Sequence, residues 1–123
     1  MSQTLSILVV DDNPPMAKAL MDILNFKGYK AYAAHSGEEA LEILSARPVD
    51  ILLSDVKMPN MNGVELYRET RKAYPNLTTL LMTAYAAEDL IQQGMTEGIK
   101  MVLTKPVDIG FLLSILLSVK KLT

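Results

Sequence analysis

Five short apolar runs alternate along this chain with five stretches in which apolar residues recur at helical spacing. Leu5-Ser6-Ile7-Leu8-Val9-Val10 is rich in β-branched residues and reads as a strand, ended by Asp11-Asp12. Asn13 then serves as N-cap and Pro14 as first helical residue, where a missing N–H costs nothing; Pro15 shares that turn. Met16, Ala19, Leu20, Ile23 and Leu24 keep helical spacing until Gly28. Lys30 to Ala34 is a second strand. Ser36-Gly37-Glu38-Glu39 has the form of a capping box, and Ala40, Leu41, Ile43 and Leu44 line the helix that ends before Pro48. The third strand, Asp50 to Ser54, runs into Asp55. A helix from Gly63 to Tyr74 is closed by Pro75. Thr79 to Met82 is the fourth strand, and a helix from about Ala86 to Gln93 precedes Gly94. Lys100 to Leu103 is the fifth strand, and Asp108 to Lys121 the last helix.

Nearly continuous apolar strands between amphipathic helices predict an α/β domain, a parallel sheet covered on both faces. Right-handed crossovers leave few topologies. The polar residues that interrupt this pattern fall at the carboxyl ends of strands: Asp11 and Asp12, Asp55, Thr83 and Lys105. In an open α/β sheet, that edge holds the ligand crevice where strand order reverses. Taken alone, Asp55 could be a capping or turn residue. Its company on one edge argues for chemistry.

Composition narrows the chemistry. The chain has 123 residues, half of them hydrophobic and 21% charged, with a net charge of −2. One globular domain over residues 1–123 is expected. Acidic and basic residues are mixed, so no basic stripe points to nucleic acid. There is no cysteine, which excludes thiolate chemistry and cysteine-ligated metals. The single histidine, His35, cannot form a multi-histidine site. The first residues lack signal-peptide character, and the longest apolar stretch, Ile109 to Val119, is too short to span a membrane. A cytoplasmic location without membrane insertion is expected. Met16, Met21, Met82, Met95 and Met101 read as core filler.

If the first and third strands are neighbours, three carboxylates converge. Charges so close repel unless a cation intervenes, and a hard divalent ion such as Mg²⁺ suits carboxylate oxygens. Lys105 is a point charge suited to a phosphoryl oxygen, Thr83 supplies a hydroxyl, and the Ala84 N–H lies beside it. An anionic nucleophile, a metal, a cation and neutral donors suit phosphoryl transfer to a carboxylate.

The ordered set Asp11-Asp12, Asp55-x-x-Met58-Pro59-x-Met61-x-Gly63, Thr83-Ala84 and Lys105-Pro106 resembles the receiver (response-regulator) domain of two-component signalling, over essentially the whole chain. The resemblance implies a doubly wound, flavodoxin-like (βα)5 fold with strand order 2-1-3-4-5. It implies that Asp55 takes a phosphoryl group from a sensor histidine kinase or a histidine phosphotransfer protein. Asp12, Asp55 and the Lys57 carbonyl would ligate Mg²⁺ directly, and Asp11 largely through water. Thr83, the Ala84 N–H and Lys105 would hold phosphoryl oxygens, and Lys105–Pro106 would be cis. The function expected is a phosphorylation-controlled switch rather than a turnover enzyme. An Asp-nucleophile, Mg²⁺-dependent phosphohydrolase is disfavoured because Lys57 stands where its second carboxylate belongs. A flavin or nucleotide binder lacks its phosphate loop after the first strand. A degenerate receiver acting only as an interaction module is the remaining alternative.

Three features depart from the family or sharpen it. Receivers commonly carry Tyr or Phe three residues before the lysine of the fifth strand, and here Val102 stands there. Output is then expected through loop and fourth-helix shifts beginning at Thr83, or the response is weak. Tyr85, with Lys57, borders the phosphoryl position by resemblance; it either restricts the attacking water or is an ordinary exposed tyrosine. In the last helix, Ile109, Leu112, Leu113 and Leu116 form the expected core stripe. Phe111, Ile115 and Val119 form a second stripe, read as a contact with a second copy or a partner protein.

Overall fold

In a computed structural model, residues 4–85 and 88–122 are described. The elements alternate in the expected way: β1 (Ser6–Val10), α1 (Pro14–Phe26), β2 (Lys30–Ala34), α2 (Gly37–Ala46), β3 (Ile51–Asp55), α3 (Gly63–Ala73), β4 (Thr78–Thr83), α4 (Asp89–Glu97), β5 (Met101–Thr104) and α5 (Ile109–Leu122). The five strands pair in parallel in the order β2-β1-β3-β4-β5. This is the doubly wound, flavodoxin-like arrangement, and the reversal between β1 and β3 sets Val10 opposite Ser54 at the carboxyl edge.

Alternation along the strands divides the core between the two faces of the sheet. Ile7 and Val9 of β1, Leu53 of β3 and Met82 of β4 face α1 and α5. Leu8, Val10 and Leu52 face α2 and α3, while Leu81 packs with Val64, Tyr67 and Ile91 under α3 and α4. Leu52 and Leu53 are both fully buried, as a strand covered on both faces requires. No helix among the described residues is long and apolar enough to cross a membrane.

Local signals explain the helix ends. The Asn13 side chain accepts from the Met16 N–H, with prolines at the first two helical positions. Ser36 accepts from the Glu39 N–H as expected. Glu39 reaches one residue further back than the capping box predicts, accepting from the His35 N–H at 2.5 Å. A complete capping box occurs at α3 instead, between Asn62 and Glu65. The fourth helix also departs from expectation. Ala86 and Ala87, its predicted start, lie outside the described residues; α4 runs through Gly94 and stops at Gly98, whose φ is 127°. Gly94 is a packing glycine, since a Cβ there would meet the Ile99 side chain at 2.5 Å.

The second stripe of α5 is corrected by burial. Ile115 and Val119 lie in the core with Leu112 and Leu116, whereas Phe111 is exposed. Residues 112, 115, 116 and 119 are themselves an i, i+3, i+4, i+7 face, so the core stripe is rotated from the expected one. Ile109 and Leu113 are partly buried at its margin. The interface expected at Phe111, Ile115 and Val119 therefore reduces to one exposed residue. Ile115→Ala should cost about 2–4 kcal/mol in urea unfolding. Phe111→Ala should stay within about 0.5 kcal/mol of the parent. Met16 and Met95 are likewise exposed rather than core filler; Met82 is buried, and Met21 and Met101 pack at the edge of the core.

Candidate functional site

The chemistry gathers where β1, β3, β4 and β5 end. Asp11 follows β1 and is buried; its N–H donates to the Ala34 carbonyl at 3.1 Å, and its Oδ1 accepts from the Asn13 N–H at 3.0 Å. These bonds fix the carboxylate at the mouth of the β1–α1 turn. Asp12, the next residue, is exposed. Asp55 is the last residue of β3 and is buried. The Gly63 N–H donates to the Val56 carbonyl at 2.9 Å, so the start of α3 folds back on the turn that follows Asp55. Asp11, Asp12 and Asp55 each present a carboxylate oxygen within 4.8 Å of the others.

Lys105 enters from the end of β5. Its ammonium is 3.0 Å from Asp11 Oδ2 and 3.1 Å from Asp55 Oδ2, and Lys105–Pro106 is cis. One cation thus sits between two buried carboxylates. Burial pushes the Asp55 carboxyl above 3.8; the hydrogen bond and charge of Lys105 oppose this, and Asp11 adds to it. Burial draws the Lys105 ammonium down, but the bonds and charges of Asp11 and Asp55 outweigh it and leave its pKa above 10.5. The cluster therefore holds excess negative charge in a poorly hydrated place. That is a demand for a hard cation, and the all-oxygen donor set suits Mg²⁺.

Thr83 ends β4 and is buried; its Oγ1 accepts from the Tyr85 N–H at 3.0 Å. The Lys105 N–H donates to the Thr83 carbonyl at 2.8 Å, which binds the ends of β4 and β5 together. Ala84 is exposed beside Thr83. The Lys57 side chain turns towards the β4–α4 connection, 3.0 Å from a Glu88 carboxylate oxygen and 4.5 Å from the Tyr85 ring centroid. Glu88 was invisible to motif reasoning, because its partner lies 31 positions earlier. Val102 is partly buried against the cluster under α3 and α4. A hollow of about 250 Å³, lined by Asp11, Met16, Ile23, Lys105 and Pro106 among others, adjoins the acidic cluster. A second of about 610 Å³, at the opposite edge of the sheet, includes Arg47, Asp50 and Tyr74 and is remote from the acids.

A family model described as the response regulator receiver domain matches residues 7–117. The chain belongs to this family. A response regulator receiver protein from Anaeromyxobacter sp. (strain Fw109-5) is 37% identical over 108 residues, covering 88% of this chain and 45% of that protein. The sensor histidine kinase RcsC of Escherichia coli is 42% identical over 101 residues, 82% of this chain and 11% of its own length. The chain thus spans less than half the length of these curated relatives. Among solved structures, a CheY-like receiver domain protein from Methanospirillum hungatei JF-1 superposes with a TM-score of 0.90 at 27% identity, covering 97% of this chain and 95% of that one. The chemotaxis protein CheY4 of Vibrio cholerae gives 0.88 at 29% identity, over 95% and 99% of the two chains. This receiver domain is a module of two-component signalling by its family.

Proposed function

We propose that Asp55 of this receiver domain is the phosphoacceptor of a phosphorelay switch. The observation that carries the reading is the Lys105 ammonium between Asp11 and Asp55, with Asp12 alongside, at the sheet's reversal. The donor is the phosphohistidine of a sensor histidine kinase or of a histidine phosphotransfer protein. A carboxylate oxygen of Asp55 attacks phosphorus, the new P–O bond forms, and the P–N bond breaks with its electron pair leaving on the imidazole. Lys105 follows the phosphoryl oxygens as charge shifts, because its ammonium already touches the attacking carboxylate. Thr83 gives its hydroxyl and Ala84 its N–H to the remaining oxygens; Asp55 itself is held by the turn that Gly63 closes.

Asp11, Asp12 and Asp55, with the Lys57 carbonyl, would hold Mg²⁺. Bound there, the ion would neutralise the carboxylates and stabilise negative charge on the phosphoryl oxygens. The product is a signal, since phosphoaspartate adds charge and acceptor oxygens that bias two surface states. Chemistry at the site is confined to gaining and losing this group.

Intact-mass spectrometry after incubation with acetyl phosphate tests the reading. One phosphoryl adduct is expected, dependent on Mg²⁺ and absent from Asp55→Asn. An adduct that survives the substitution moves the acceptor elsewhere. Failure to take up either phosphoryl or beryllofluoride makes this receiver an interaction module only.

A further inference from the structure

α4 is held in different ways at its two ends. At the C-terminal end the Tyr67 hydroxyl donates to the Glu97 carbonyl at 2.7 Å. Arg68 grips the Glu97 carboxylate through Nε at 3.0 Å and Nη2 at 2.7 Å, and Arg71 adds a contact at 3.2 Å. The Arg68 bond, working against burial, holds the Glu97 carboxyl below the usual range. These partners all come from α3, so this end is pinned to a neighbouring helix.

At the N-terminal end Ile91 is buried beside Val64 and Tyr67, but the cap itself is held differently. Glu88 is the N-cap residue, yet its side chain makes no capping bond. Its carboxylate takes the Lys57 ammonium instead, and that ammonium also lies over the Tyr85 ring. Lys57 is two residues past Asp55, whereas Tyr85 and Glu88 follow Thr83. One ammonium therefore ties together the two loops that leave the strands carrying Asp55 and Thr83. The tie is solvent-exposed, 60% at Lys57 and 39% at Glu88, so it is weak and open to competition. A phosphoryl group on Asp55 is a stronger competitor than a carboxylate, with more charge and three acceptor oxygens.

We propose that Lys57 is a positioning residue that exchanges partners. In the unphosphorylated protein it clasps Glu88 and Tyr85; after phosphorylation it turns to the phosphoryl oxygens and frees the first turn of α4. The helix then pivots about its pinned Glu97 end. The trigger rests on the acceptor reading of Asp55, while the clasp does not. This route from Asp55 to α4 needs no aromatic side chain in β5, where Val102 stands.

Amide hydrogen exchange separates these claims. The Ile91 and Gln92 N–H groups donate to the Glu88 carbonyl at 3.1 and 3.2 Å, and report the first turn. The Gly98 and Ile99 N–H groups donate to the Gly94 carbonyl at 3.1 and 3.0 Å, and report the pinned end. In the unphosphorylated protein, Glu88→Gln and Lys57→Gln should speed exchange at Ile91 and Gln92 about two- to fivefold, the range of an exposed ion pair. Gly98 and Ile99 should not change, and Lys57→Arg should keep the parent's protection. Beryllofluoride should bring the parent to the Glu88→Gln level and move Glu88→Gln no further. Parent-like exchange in unphosphorylated Glu88→Gln overturns the clasp. Equal loosening of both ends on beryllofluoride binding overturns the pivot. If the parent takes up no beryllofluoride, the acceptor reading fails and the partner exchange falls with it, whatever the unphosphorylated variants show.

Discussion

Lys105→Met should lower phosphoryl uptake from acetyl phosphate by about two to three orders of magnitude. Without a divalent cation at neutral pH, it should also cost about 3 kcal/mol of stability. Methionine keeps most of the side chain's length and loses only the ammonium. What remains is two carboxylates, 5% and 12% exposed, that had shared one cation at 3.0 and 3.1 Å. The loss depends on pH, and its sign follows from Asp55. Burial, against the pull of Lys105, already raises that carboxyl above 3.8. A carboxyl raised in the folded state contributes stability that is complete below its unfolded pKa and lost as pH rises through its folded one. Removing Lys105 removes the chief opposition, so Asp55 stays protonated to higher pH. The deficit should be small near pH 4 and grow towards neutrality. Mg²⁺ should shrink it, because the ion supplies the missing positive charge. Urea unfolding at several pH values, with and without Mg²⁺, reads all three effects. A deficit equal at every pH would assign the loss to packing rather than to charge.

The carboxyl edge was readable in the sequence because four of the five strands run there from an apolar stretch into polar residues. Asp55 after Ile51-Leu52-Leu53 and Thr83 after Leu80-Leu81-Met82 are breaks in pattern that a strand buried on both faces does not tolerate without reason. Strand order could be narrowed by handedness but not chosen, and resemblance supplied the choice that the pairing of β1 with β3 bears out. Coverage was harder to read. Apolar residues recur around α5, and periodicity alone cannot say which of two overlapping faces meets the sheet. Ile115 and Val119 went to the core, and Phe111 did not. Gly94 looked like a stop because glycine usually is one near a helix end, but here it admits Ile99. The ties between distant elements had no signal at all: Lys57 with Glu88 and Arg68 with Glu97 pair across 31 and 29 positions, where no local spacing records a partner.

Gly63→Ala should be the most damaging small substitution near the site. Gly63 opens α3, and its N–H donates to the Val56 carbonyl at 2.9 Å, which brings the helix end hard against the turn after Asp55. A Cβ there would collide with the Asp55 carbonyl oxygen and meet the Val56 Cα at 3.1 Å. Both are backbone atoms, so no side chain can rotate away; either α3 or the end of β3 must move. Overpacking of this kind costs about 3 kcal/mol. The displaced element is the one that aims the Asp55 carboxylate, and misplacement of a reacting group by a fraction of an ångström lowers rate steeply. Phosphoryl uptake should fall at least about tenfold in protein that remains folded. Gly28→Ala is the contrast. Its φ of 97° disfavours alanine, but nothing lies within 4 Å of the added Cβ. Only the backbone strain is felt there, about 1 kcal/mol, and uptake should be unchanged. Urea unfolding and the adduct rate, measured on both variants, separate a general loss of stability from a displaced acceptor. If Gly63→Ala took up phosphoryl at the parent's rate, the turn would be shown to relax without moving Asp55. The role of Gly63 in aiming that carboxylate would then be discarded, and its closeness to Asp55 would be a matter of helix packing alone.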